Sequence, residues 1–162
     1  MAVSKNDYML TWANLVHVGN HLPARLERHL QAELGIALAE QDLLKQLMLG
    51  GGELKLSDIS RRIHLSKAGI TKMVDRLEDA GFVKRIRSKT DRRVIVAGLT
   101  KRGAVVLERS FELLGGWVET NLRRHLSDDQ LFALQDSLEA LLKGHDRWTS
   151  QKDQPAVDYA SS

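Results

Sequence analysis

The sequence predicts a mainly α protein with one small β-wing, and three observations carry that expectation. Two short amphipathic segments, 57–65 and 66–80, follow each other with almost no linker. Two alternating stretches, 82–87 and 94–99, flank a charged loop of six residues, 88–93. Long leucine-rich segments precede and follow this middle region, with more apolar surface than it can cover. Two helices joined by a tight turn and followed directly by a hairpin make a winged helix-turn-helix lobe. The outer helices then form a dimerisation arm from both chain ends.

Residues 7–34 read as one long helix, because Tyr8, Trp12, Leu15, Val16, Leu22, Leu26, Leu30 and Leu34 recur at steps of three and four. Pro23 lies inside it and predicts a bend near 19–23, and Gly35 is the expected stop. A second helix, about 40–49, turns Leu43, Leu44, Leu47 and Met48 inward before Gly50-Gly51-Gly52 breaks it. That glycine run lacks the GK[ST] of a phosphate loop and reads as a turn.

Ser57 is placed as the N-cap of the first short helix, with Ile59, Ile63 and Leu65 inward. Ser66 caps the second, whose buried stripe is Ile70, Met73, Val74 and Leu77, with Gly81 at its C-terminal stop. Thr100 opens a helix over about 100–125 with Val105, Val106, Phe111, Leu114, Val118 and Leu122 on one side. Ser127 opens the last, about 127–147, with Leu131, Leu134, Leu138, Leu141 and Leu142 inward. The expected organisation is a single domain over 1–147. Within it, 36–99 is the winged lobe, 7–34 and 100–147 are dimerisation helices, and 148–162 is a flexible tail.

Charge is unevenly placed. Residues 55–93 carry 12 basic and 5 acidic side chains, net +7, whereas the whole chain of 162 residues is only +3. A basic middle flanked by acidic arms points to double-stranded DNA as partner. There is no cysteine, which excludes disulfides, thiolate zinc sites and thiol redox sensing. The start, MAVSKNDYM, lacks the apolar run of a signal peptide, and no stretch approaches the ~18 apolar residues of a membrane span. A cytoplasmic protein without membrane contact is expected. No nucleophile–base pattern, phosphate loop or spaced acid pair is present, so neither an enzyme nor a cofactor is expected.

The second helix of a helix-turn-helix enters the major groove. Its outer face here is Ser66, Lys67, Ala68, Thr71, Lys72, Asp75 and Arg76. Ser66 and Thr71 suit phosphate or base contacts, Lys67, Lys72 and Arg76 supply positive charge, and Ala68 suits a thymine methyl. Gly69 is about 1 kcal/mol worse than alanine in a helix. Either close approach to the groove or packing on the preceding helix explains it. On the wing, Arg92 and Arg93 fit a narrow minor groove and Lys89 a phosphate. Asp91 is assigned to holding a neighbouring arginine. The competing reading is a winged-helix module for protein contact without sequence-specific DNA binding, and the basic face argues against it.

The run SKAGITKMVDRLEDAGFVKRIRSKTDRRVIVAGLTKRG resembles the MarR family of bacterial winged-helix regulators. Its V-D-R-L-E, basic strand, D-R-R and L-T-x-x-G elements follow in that family's order, and with the long outer helices the likeness spans nearly 7–147. The resemblance implies a triangular homodimer, an inverted-repeat operator, and release by a small, often aromatic or phenolic effector. Its thiol-oxidation branch is excluded by the absence of cysteine. For an effector, His17, His21 and Arg25 share one face of the first helix, with Trp12 and Asn20 close by. This set suits an anionic aromatic. Two readings compete with it: polar residues at an interface edge, and zinc on His17 and His21, for which nearby sequence supplies no third ligand. No metal is expected.

Overall fold

In the computed structural model, residues 3–63, 65–87 and 95–143 are described. Their elements are α1 (Lys5–Leu34), α2 (Leu38–Leu49), β1 (Glu53–Lys55), α3 (Leu56–Arg62), α4 (Lys67–Asp79), β2 (Val83–Arg87), β3 (Ile95–Leu99), α5 (Lys101–Arg123) and α6 (Asp128–Lys143). The architecture is the mainly α fold with a small sheet that the sequence predicts. The three strands are antiparallel in the order β1-β3-β2, with Leu54 and Arg85 on either side of Ala97.

The chain divides into two compact units, Met1–Ser110 and Phe111–Ser162. In the first, Leu26 and Leu30 of α1, Leu43, Leu44 and Leu47 of α2, Ile59 of α3 and Ile70, Val74 and Leu77 of α4 form the core. Val83, Ala97 and Leu107 complete it. Each fully buried leucine or isoleucine here stabilises the lobe by about 1.5–3 kcal/mol, so α4 is held by its inner stripe while its outer face stays free.

The caps explain where α4 and its neighbours stop. Ser66 Oγ accepts from Gly69 N at 3.1 Å, as expected of an N-cap. At the other end Gly81 has φ 74°, Phe82 N donates to Leu77 O, and Gly81 N donates to Glu78 O. This is a Schellman stop, and it delivers the chain straight into β2. Thr100 links the wing to α5. Its hydroxyl lies 2.8 Å from Gly81 O and accepts from Gly103 N at 3.0 Å.

Several expectations are corrected. β1 was not expected; it forms because the Gly50–Gly52 turn brings 53–55 alongside β3, where Leu99 N donates to Gly52 O. α3 begins at Leu56 with Lys55 in the cap position, so Ser57 is not the cap and lies in the first turn. Leu65 and Met48 are exposed, while Gln46 is buried on α2. The stripe of α5 is also shifted within the first unit, with Gly103, Leu107 and Ser110 buried and Val105 exposed. As expected, α1 is one long helix, Lys5–Leu34, with Pro23 inside it.

Several apolar residues of the outer helices are exposed. Tyr8, Trp12, Leu15 and Val16 of α1 are exposed, as are Leu134, Leu138, Leu141 and Leu142 of α6. In α6, opened by a reciprocal Ser127–Gln130 cap, no residue is buried. Of the leucines expected inward there, Leu134, Leu138, Leu141 and Leu142 are exposed and Leu131 is half-buried.

Candidate nucleic-acid interface

α3 and α4 form the helix-turn-helix, and α4 presents its outer face as the sequence predicts. Ser66, Lys67, Ala68, Thr71, Lys72, Asp75 and Arg76 are all exposed, and Met73 is half-buried. Thr71 Oγ1 donates to Lys67 O at 2.9 Å, and its oxygen keeps both lone pairs as acceptors. The first turn of the helix carries unpaired amides and the positive end of the backbone dipole, both favourable to a phosphate.

The charges on this helix fall into three groups. Lys67 and Lys72 enter no ion pair among the described residues. Arg76 is not the free cation the sequence suggests, because its Nε and Nη2 both donate to the Glu40 carboxylate of α2. The hydrogen bonds that Arg76 donates to Glu40 raise the Arg76 pKa above its ordinary value against the opposing effect of burial. Asp75 and Glu78 turn to Arg85 of β2, whose Nη1 lies 2.6 Å from Glu78 Oε2 and whose Nη2 bonds Asp75.

Arg85 ties the wing strand to the helix at several further points. Its backbone N donates to Glu78 Oε1 at 2.8 Å and its Nη2 donates to Thr71 O at 3.2 Å. That backbone bond, followed by the side-chain bond, lowers the Glu78 pKa. Burial pulls the Arg85 pKa down, and hydrogen bonds to Glu78 and Asp75 outweigh it, so the net shift is upward. Sequence reasoning placed neither Arg85 nor Glu40. Arg85 stood out only as part of a basic strand, and Glu40 had no local signal.

Gly69 is half-buried, and a Cβ there would meet Ser66 Oγ at 3.3 Å and Leu65 Cβ at 4.0 Å. No atom of α3 lies within that range, so packing on the preceding helix does not account for the glycine. The wing-tip residues Lys89, Asp91, Arg92 and Arg93 lie outside the described residues, as do the 148–162 tail, His64 and His145.

The effector candidates Trp12, His17, Asn20, His21 and Arg25 are all exposed on α1. The His17 and His21 rings stand edge to face with centroids 4.4 Å apart. No group of three potential metal ligands occurs among the described residues. No helix there is long and apolar enough to cross a membrane.

Comparison with known proteins places this geometry. Residues 51–95 match the sequence profile of the MarR family. The uncharacterized HTH-type transcriptional regulator YfiV of Bacillus subtilis is 42% identical over 84 residues, 44% of this chain and 52% of that protein. The chain thus matches about half of YfiV's length. The multiple antibiotic resistance protein MarR of Escherichia coli is 25% identical over 79% of this chain and 88% of its own. Sco3205 of Streptomyces coelicolor, a MarR family transcriptional regulator solved in complex with DNA, has the same fold. Its TM-score is 0.72 at 22% identity over 99% of this chain and 96% of that one. The organohalide-sensing regulator RdhR in its 2,4-dichlorophenol-bound form gives 0.70 at 17% identity over 89% and 86%. YfiV and Sco3205 both carry the name of a transcriptional regulator.

Proposed function

We propose that this chain, a MarR family protein, is a homodimeric DNA-binding transcription regulator. It represses from an inverted-repeat operator and is released by a small anionic aromatic effector. The observation that carries the DNA reading is the outer face of α4. A Ser66-capped helix start, exposed Ala68 and Thr71, and two lysines without an ion pair among the described residues form one surface. Lys67 and Lys72 meet phosphates, while Ser66, Ala68 and Thr71 meet phosphate or base edges. Arg92 and Arg93 on the wing enter the adjacent minor groove with Lys89 on phosphate and Asp91 supporting an arginine. Sco3205 was solved with DNA, which supports the same use of the fold here.

The dimer reading rests on the uncovered apolar faces of α1 and α6, where Tyr8, Trp12, Leu15 and Val16 fall at helical spacing. Two α4 helices about one DNA turn apart, ~34 Å, match an inverted repeat. Light scattering of the full chain should give a dimer, and a monomer would remove this part of the proposal. The organisation into a winged lobe over 36–99 between dimerisation helices belongs to the same reading.

The effector reading rests on the α1 face. Arg25 and the His17–His21 pair suit a carboxylate, Asn20 adds a hydrogen-bonding amide, and Trp12 suits a ring. RdhR was solved with a phenolic compound, which supports an aromatic class. Regulation needs only about 1–3 kcal/mol of coupling between ligand and DNA.

The primary test selects bound fragments from a genomic library and measures affinity against salt. Steeply salt-dependent binding with preference for selected fragments over random duplex is expected. Equal affinity for all duplexes, or none at low salt, overturns the regulator reading. For the effector, substituted aromatic acids are screened for tryptophan quenching and DNA release. An unchanged response in Arg25→Ala and His21→Ala removes this part of the proposal.

A further inference from the structure

Arg76 occupies the exposed face of the groove helix, yet its guanidinium turns back toward the body of the lobe. Nε and Nη2 grip the two oxygens of Glu40 in a bidentate pair. The Glu40 side chain is 5% exposed, against 55% for Arg76. Glu40 Oε2 also accepts from Ala37 N at 2.8 Å, closing the first turn of α2. One carboxylate thus caps α2 and anchors α4.

We propose that Arg76 is a positioning residue for DNA binding rather than a phosphate contact. Glu40 is its anchor, and together they fix the orientation of α4 against α2. The proposal rests on the reading of α4 as the groove helix. Three points lead to it. A carboxylate this buried must keep its partners, because removing one leaves an uncompensated charge in low dielectric. Arg76 is therefore unavailable to a phosphate without stranding Glu40. Two parallel hydrogen bonds define an angle as well as a distance, so the pair resists rotation of α4 about its own axis. The grip is also placed for leverage. It lies in the third turn of α4, while Lys67, Ala68 and Thr71 lie in the first two. A small tilt at Arg76 would displace those residues against the base edges.

On the other side, Arg85 bonds Thr71, Asp75 and Glu78. α4 is thus held by α2 at one flank and by β2 at the other. Among the described residues these two arginines supply every side-chain hydrogen bond or ion pair from α4 to another element.

The two roles of Arg76 predict opposite signs. If Arg76 touched phosphate, Glu40→Gln would release it, remove a negative charge and tighten DNA binding. As an anchor pair, Glu40→Gln weakens binding. The full-length protein is titrated with its selected operator at several salt concentrations, using the parent, Glu40→Gln, Arg76→Gln, the double variant and Lys72→Gln. We expect Glu40→Gln and Arg76→Gln each to lose roughly 10-fold in affinity, within the range for residues that act through others. The salt slope should match the parent's in both, whereas in Lys72→Gln it should fall by about 0.9. The double variant replaces the ion pair by two neutral amides and should lose less than the two single losses multiplied.

Tighter binding by Glu40→Gln, or a salt slope reduced in Arg76→Gln as in Lys72→Gln, overturns the proposal. A separate readout needs no DNA. Hydrogen exchange of the α4 amides should quicken in Glu40→Gln and Arg76→Gln and stay at the parent rate in Lys72→Gln. Unchanged exchange in all three also overturns it. Quickened exchange in those two variants, with a parent protein that binds no duplex, would keep the anchor and discard the groove reading of α4.

Discussion

Gly103→Ala in α5 offers a sharp test of how the wing is joined to the helix that follows it. Alanine in place of glycine inside a helix ordinarily gains about 1 kcal/mol. Here a Cβ would lie 2.0 Å from Phe82 O, and 2.9 Å from both Phe82 C and a Leu99 methyl. An ordinary carbon–oxygen approach is about 3.3 Å, so α5 and the start of β2 must part by roughly 1.3 Å. The atom in the way is backbone and cannot rotate aside. Parting them breaks the Thr100 N→Phe82 O bond of 3.1 Å and the Thr100 Oγ1→Gly81 O bond of 2.8 Å. Overpacking costs about 1–3 kcal/mol, and each hydrogen bond about 1 kcal/mol. Set against the propensity gain, the net loss is about 2–4 kcal/mol. For a chain of this size that lowers Tm by about 4–16 °C. Thermal unfolding followed by circular dichroism, at matched protein concentration because association shifts Tm, measures it directly. A Gly103→Ala protein as stable as the parent would refute the close approach of α5 to Phe82.

Three further outcomes are expected. Arg93→Ala, and to a smaller degree Arg92→Ala, should weaken operator binding by about 1–3 kcal/mol while leaving Tm unchanged; parent-like affinity in both would take the wing out of the interface. Gly69→Ala should leave Tm unchanged or raise it, since only Ser66 Oγ must yield, yet weaken DNA binding because the added methyl faces the groove; parent-like affinity would exclude close approach there. Glu78→Gln should lower stability near neutral pH by no more than about 1 kcal/mol, because its pairing with Arg85 is partly open to solvent. The folded-state pKa of Glu78 lies below its ordinary value of 4.5, so the pairing stabilises above that value and is lost as pH falls through the lowered one. The Tm gap between parent and variant should therefore close on acidification, and a gap constant from about pH 7 to about pH 3 would contradict the pairing.

The parts of the fold legible in the sequence are those whose signal is local and whose partner lies in the same chain. α4 was readable because Ile70, Val74 and Leu77 repeat at helical steps behind a serine cap. β1 was not, since three residues after a glycine turn are too few to show alternation. The stripe of α5 was legible only in part: Val106, Phe111, Leu114, Val118 and Leu122 are half-buried, but two of its three buried residues, Gly103 and Ser110, carry no hydrophobic signal and are buried by close packing and a hydrogen bond. α1 and α6 show a different limit. Periodicity marks a face that needs covering and does not say which surface covers it, so Leu26 and Leu30 are buried while Tyr8 and Trp12 on the same helix are exposed. Glu40 and Arg76 are 36 residues apart, and such a pair leaves no trace in local composition.

The ion pairs also change the meaning of the basic central segment. A net charge of +7 over 55–93 suggests a broadly positive surface, but three of its arginines are held in ion pairs. Arg61 pairs with Asp58, Arg76 with Glu40, and Arg85 with both Asp75 and Glu78. The matching is uneven along α4. Its acidic residues Asp75, Glu78 and Asp79 lie in the second half, and the first two of these are held by Arg85. Lys67 and Lys72, unpaired among the described residues, lie in the first half, where the helix dipole is also positive. The same arginines that fix the helix mechanically thus remove the carboxylates that would repel a phosphate backbone. What remains is a field concentrated at the N-terminal turns, where Ser66, Ala68 and Thr71 stand ready for a groove. Orientation and charge in this helix are set by one group of contacts, so a substitution at Arg85 disturbs both together, whereas one at Lys72 changes charge alone.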